Sequence, residues 1–246
     1  MQATGSDSPQ NTYRLSIHLL VDGLSVYVYN SSGAVIRHAC RNFSDASTPA
    51  RVATTRAFLS ELDSAKGRYE QVELVAHSPA TYVPVELFRR SDMMSLYRLT
   101  FSSLKLNNAD IRHRILPSLD VVEIFTINHA LVTAVSEFYP QIQVLGRCGQ
   151  VVCQAVECVR TLTDDEPRMY VQQDATELHV CVVQGTQLRF ACAYPALTDE
   201  DRLYYLLAVW RNMELDAQKT LCLLSDISEH FCQEVKNYIL NVDTCA

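Results

Sequence analysis

The sequence predicts a mixed α/β protein made of two similar lobes, each an antiparallel meander followed by alternating helices and strands. Two observations carry that expectation. Residues 13–40 and 169–192 both read as strand, turn, strand, turn, strand, and a single offset of 152 lays Asp22 on Asp174, Gly33 on Gly185, Arg37 on Arg189 and Cys40 on Cys192. After each meander, strand-like runs alternate with helical periodicity, which implies mixed sheets with helices packed against them. A chain of 246 residues with 48% hydrophobic and 20% charged content can bury such a core. The formal net charge of −7 argues against a nucleic-acid partner, whose binder would present a basic face.

Residues 1–12 are polar and read as a disordered leader, without the charged start and apolar stretch of a signal peptide. Residues 15–21 form a largely apolar central strand. Asp22-Gly23 makes the hairpin turn, since both residues tolerate the positive φ of a tight two-residue loop. Strands follow at 24–29 and 34–40, with a second turn at 30–33. Ser47-Thr48-Pro49 opens a helix over 50–65 that Lys66-Gly67 stops. Residues 72–76 are a short buried strand, 84–88 and 93–97 are helical turns, and 98–105 are extended. Residues 111–116 and 121–127 form a hairpin across Pro117-Ser118 that has no counterpart later in the chain. Asn128 caps a helix over 129–138, 142–145 are a strand, and 148–161 are a helix.

The acidic, proline-terminated Thr163-Asp164-Asp165-Glu166-Pro167 marks the boundary between a first lobe at 13–162, containing the inserted hairpin, and a second at 163–246. Strands at 169–173, 177–184 and 187–194 repeat the meander. Thr198 with Asp201 caps a helix over 203–213, residues 220–224 answer the strand at 72–76, and 228–240 form the closing helix.

The nine cysteines contain no CxxC pair and read as reduced, buried thiols. Cys148, Cys153 and Cys158 have a helical spacing that does not gather all three on one tight face, so no metal site is expected. No apolar run reaches the roughly 20 residues that span a bilayer, and a cytoplasmic protein is expected. There is no GxSxG elbow, the seven histidines are dispersed, and the strand at 72–76 ends at His77 rather than at an acid. Neither a hydrolase nor a two-carboxylate nuclease is indicated, and no residue is assigned a catalytic role.

The order strand, strand, strand, helix, strand, helix, met twice, resembles the actin-like ATPase superfamily, whose ribonuclease-H-like lobes clasp a nucleotide. More narrowly, the polar leader, the Asp22-Gly23 hairpin, the VPVELF segment at 83–88 and the late meander resemble an uncharacterised bacterial family with that fold, over residues 13–240. The resemblance implies phosphates held by the hairpin after the first strand of each lobe, in the pattern Asp-x-Gly followed by Thr or Ser. It also implies a glycine pair against the adenosine after the late strand of the second lobe. The residues at those places are Asp22, Gly23 and Ser25, then Asp174 and Thr176, then Ser225 and Asp226.

This chain departs from that pattern. In Asp22-Gly23-Leu24-Ser25 the glycine comes one place early, and Asp174-Ala175-Thr176-Glu177 has none. A Cβ obstructs close approach of the backbone to a phosphate, and Glu177 adds a negative charge beside it. Leu224-Ser225-Asp226-Ile227 also lacks glycine, and Asp226 reads as a cap or turn residue. Gly146-Arg147-Cys148-Gly149 stands where a strand enters a helix, a place that attracts anions, although turn and cap is the simpler reading. Two functions are expected: a non-catalytic protein-interaction or scaffold module with degenerate phosphate loops and no cofactor, or an ATPase or kinase-like enzyme binding ATP with Mg2+ in the cleft between the lobes. The first needs a protein partner, of unspecified identity and stoichiometry, for which aromatics within 82–97 and the hairpin at 111–127 offer a surface, unless these finish the first lobe's core.

Overall fold

The computed structural model describes residues 13–63, 69–103, 107, 110–160, 165–174 and 176–245. The leader at 1–12, the Lys66-Gly67 stop and Thr163-Asp164 of the expected boundary lie outside the described residues. In chain order the first elements are β1 (Tyr13–Leu19), β2 (Gly23–Tyr29), β3 (Val35–Asn42), α1 (Thr48–Asp63), β4 (Tyr69–Ala76), β5 (Ala80–Pro84), α2 (Met93–Thr100), β6 (Ile111–Leu116), β7 (Val121–Thr126) and α3 (His129–Ser136). They are followed by β8 (Gln143–Gly146), α4 (Arg147–Val159), β9 (Arg168–Gln173), β10 (Glu177–Gln184), β11 (Gln187–Pro195), α5 (Asp199–Asn212), β12 (Leu221–Ser225), α6 (Glu229–Lys236) and β13 (Val242–Thr244).

By contacts the chain divides into two units, one of residues 1–77, 107–110 and 127–145, the other of 78–106, 111–126 and 146–246. The first carries a five-stranded sheet in the order β3-β2-β1-β4-β8. Its centre is β1, antiparallel to β2 and parallel to β4, because Leu15, Ile17 and Leu19 are all buried. Asn128 caps α3 as expected, its Oδ1 accepting from the Ala130 and Leu131 N–H groups.

The first hairpin corrects the reading of Gly23. Leu20 N–H donates to Gly23 O at 2.9 Å, so the loop is Val21-Asp22, and neither residue nor Gly23 has a positive φ. Gly23 instead begins β2 opposite Asn42, where a Cβ would meet Arg41 O at 2.5 Å. Glycine is required there by a neighbouring strand, not by a turn. The positive φ falls at the second turn of each meander, 80° at Gly33 and 55° at Gly185.

The second unit repeats the topology in the order β11-β10-β9-β12-β13 and adds a three-stranded sheet, β5-β7-β6. One face of its larger sheet packs Met169, Val171, Leu178 and Val180 on Leu206, Val209 and Trp210 of α5 and Phe231 and Val235 of α6. The other packs Tyr170, Cys181, Val183 and Leu223 on Val151, Val152 and Ala155 of α4, together with Leu116 and Leu119 of the inserted hairpin. Tyr97 is wholly buried against Ile111, Val122 and Ile124, and its hydroxyl donates to Pro79 O at 2.9 Å. Leu116 and Leu119 of the hairpin therefore fill core that the second meander shares, while Tyr97 closes a smaller core within the insertion itself, so these parts of the expected contact surface are interior.

Three further differences have simple causes. Residues 98–100 finish α2 rather than extending from it. β5 and β13 were not anticipated, being short, polar or proline-flanked pieces whose strand character comes from pairing with β7 and β12. Cys158 and Cys245, 87 residues apart, form a disulfide, which corrects the expectation that every cysteine is a thiol; such a pairing leaves no local spacing signal. Cys148, Cys181 and Cys222 are buried and free, and burial pushes their thiols well up, so they are not nucleophilic thiolates at neutral pH. Among the described residues no helix is long and apolar enough to cross a membrane.

Candidate functional site

In the first unit the sequence-derived residues lie on the β1–β2 hairpin. Asp22 is exposed in the loop, and its carbonyl accepts from Phe43 N–H at 2.8 Å. Gly23 and Ser25 are buried in β2, Ser25 between His18 and Cys40 in register. On this face the His18 and His77 rings share a hydrogen bond, Nδ1 to Nε2 at 2.9 Å, and Ser16 Oγ lies 3.1 Å from His18 Nε2.

In the second unit the corresponding hairpin is built differently. Asp174 N–H donates to Glu177 O at 2.9 Å, so Asp174 opens its turn where Leu20 opens the first. Measured by these turns the offset is 154, and Asp22 matches Thr176; the 152 offset holds at the second turn. The two aspartates thus sit on equivalent hairpins at different positions. Thr176 is exposed, and its carbonyl accepts from Ala196 N–H at 3.0 Å.

Asp174 is held by a guanidinium fork. Arg147, the first residue of α4, donates from Nε to Oδ2 at 2.9 Å and from Nη2 to Oδ1 at 2.7 Å, while His179 Nε2 stands 3.1 Å from Oδ2. The side chains of Arg147 and Asp174 are only 11% and 21% exposed. Burial on its own would raise the Asp174 carboxyl, but the bonds and charge of Arg147 and His179 outweigh it and hold the group well below the usual carboxylate range. Desolvation likewise opposes the Arg147 charge, and Asp174 and then Asp226 sustain it. Asp226, at a left-handed φ of 53°, accepts from Gln172 Nε2 at 2.7 Å, and Ser225 ends β12 opposite Gln172. Asp174, Ser225 and Asp226 thus lie at one end of the β9–β12 pair, and the two carboxylates act on the Arg147 cation. A magnesium ion at Asp174 would have to displace Arg147.

The Gly146–Gly149 segment also has an anion, one supplied by the chain. Gly149 N–H donates to Glu123 Oε1 at 2.7 Å. Glu123 is fully buried in β7, in register with Tyr82 of β5 and Arg114 of β6. Desolvation lifts its carboxyl to about 7 against the opposing pull of the Gly149 bond and Arg114. A Cβ on either Gly146 or Gly149 would overlap that carboxylate. Both glycines are therefore space for an internal carboxylate at a helix N-terminus, where the dipole favours negative charge. Glu123 was not singled out from sequence, although a single acid inside the apolar run Val121–Phe125 was the available signal, and Arg147, visible in the Gly146–Gly149 motif, and His179, in a strand, had no partner assigned. A cavity of about 510 Å³ beside the second turn, lined in part by Glu157, Arg160, Arg168 and Gly185, contains none of these residues.

No curated protein matches the chain by sequence. A family model described as "Protein of unknown function (DUF3822)" matches residues 4–242. Among solved structures, a protein of Bacteroides thetaiotaomicron VPI-5482, described as having an actin-like ATPase fold and unknown function, aligns with a TM-score of 0.72 and 22% identity over 99% of this chain and 94% of that one. A PilM-PilN type IV pilus biogenesis complex aligns with a TM-score of 0.53 and 12% identity over 94% of this chain and 88% of that one. At these identities the likeness speaks to fold alone: an actin-like ATPase fold, with the two similar mixed-sheet lobes that the sequence repeat implied.

Proposed function

The chain belongs to the DUF3822 family and has its actin-like ATPase fold, and from that premise we propose that it is a non-catalytic actin-like module that acts by binding another protein. The observation that carries this reading is the engagement of Asp174 by Arg147 and His179. Asp174 stands on the hairpin that the resemblance assigns to a phosphate, and here its carboxylate is taken up by a guanidinium and an imidazole of the chain itself. The Glu123 carboxylate on Gly149 N–H supports the same reading, since it occupies a helix N-terminus that an external phosphate would use. A protein partner is the natural ligand for a fold so modified, and a likeness to a structure of a type IV pilus biogenesis complex is in keeping with it.

The alternative is an ATPase or kinase-like enzyme using ATP with Mg2+, motivated by Asp22 and Ser25 on one hairpin and Asp174 and Thr176 on the other. Steady-state release of phosphate from ATP by the purified protein separates the two. No Mg2+-dependent release above the protein-free rate is expected. Turnover that disappears in both Asp22→Ala and Asp174→Ala would establish the enzyme and end the scaffold reading.

A further inference from the structure

We propose that Asp199, His230 and Glu234 form a binding site for a divalent transition-metal ion with zinc-like ligand preference. The three side chains come from two helices of the second unit. Asp199 is the first residue of α5, and His230 and Glu234 are four apart on α6, the spacing that stacks two side chains on one helix face. One donor atom from each lies within 4.8 Å of the other two. Asp199 Oδ2 is already 3.6 Å from His230 Nδ1, close to the roughly 3.4 Å edge of a tetrahedron with metal–ligand bonds of about 2.1 Å. A change of side-chain rotamer brings the carboxylate of the half-buried Glu234, already within 4.8 Å of the other two, to the same separation.

The surroundings are those of a metal ligand set. Arg202 Nη1 donates to Asp199 Oδ1 at 2.6 Å, which fixes the carboxylate plane and leaves Oδ2 directed at His230, as outer-shell partners orient ligating carboxylates. Both helix starts are fixed by caps, Thr198 with Asp201 in a reciprocal box and Ser228 on Phe231 N–H. Two carboxylates and Arg202 leave a net single negative charge to meet a dication. An imidazole with two carboxylates suits zinc, cobalt or nickel better than magnesium, which takes oxygen ligands in an octahedron. The fourth position is open to water or to a ligand from a partner protein.

Titration of the full chain with Co2+, followed by its visible absorption, and competition with Zn2+ test the site. One equivalent of Co2+ bound without thiolate-to-metal charge transfer, displaced by Zn2+ and unaffected by excess Mg2+, is expected. His230→Ala and Glu234→Gln should each weaken binding by at least about tenfold, since even outer-shell changes have effects of that size. Cys40→Ser, which removes an exposed thiol elsewhere, should leave the affinity unchanged. The site is refuted if the protein takes up no Co2+, if either ligand variant binds as the parent does, or if Cys40→Ser abolishes uptake.

Discussion

Gly149→Ala is expected to lower stability by about 3 kcal/mol or more, seen as a fall in the midpoint of denaturant unfolding. The added methyl would overlap the Glu123 carboxylate. Overpacking a tight interior costs about 1–3 kcal/mol, and losing the Gly149 N–H bond leaves a buried charged acceptor unmet, about 1–3 kcal/mol more. Adding Glu123→Ala removes the obstacle, so the double variant should be more stable than the sum of the two single losses by about 1 kcal/mol or more. Strict additivity would mean that the carboxylate is not seated on Gly149.

Glu123 also has a pH signature. Its folded carboxyl titrates at about 7 against an ordinary 4.5, so the folded state binds the proton more tightly than the unfolded. Stability should therefore decline as pH rises from about 4.5 to 7 and level off above, by about 3 kcal/mol if the whole shift is expressed. Glu123→Gln keeps an acceptor for Gly149 and has no charge to bury. It should match or trail the parent at pH 5 and exceed it at pH 8; parallel curves across that window would contradict the buried acid.

Arg147→Ala is expected to cost about 3–5 kcal/mol at neutral pH, the range for leaving a mostly buried charge without its partner. Its dependence on pH runs the other way. Because Arg147 and His179 hold the Asp174 carboxyl below the usual range, the stabilisation is complete above the ordinary aspartate value of about 3.9 and is lost as the pH falls below it. The gap between parent and variant should thus close in acid, below about pH 4. A loss under about 0.5 kcal/mol at pH 7 would place the pair among exposed ion pairs of little consequence, and Asp174 would then be open to a metal.

The fold was legible from sequence because its signals are local or periodic. The meander at 169–194, the Asn128 cap and the Thr198-Asp201 box each follow from a few adjacent residues, and the structure has all three. The site was legible only in outline. Asp174 could be aligned with Asp22, but its partner Arg147 lies 27 residues upstream, and no pattern joins them. The glycines of Gly146-Arg147-Cys148-Gly149 were visible, yet their reason, the carboxylate of Glu123, comes from a strand paired in another sheet. The Asp22-Gly23 turn shows the opposite error: a familiar dipeptide suggested a loop, while the real constraint on Gly23 was the Arg41 carbonyl of β3.

Under the proposed reading, Arg147 on Asp174 and Glu123 on Gly149 take the places at which a nucleotide would bind in an actin-like fold. Calorimetric titration of the purified protein with ATP in the presence of Mg2+ tests it most directly. No saturable heat is predicted up to millimolar ATP. One equivalent bound with micromolar affinity, and lost in Asp174→Ala, would contradict it.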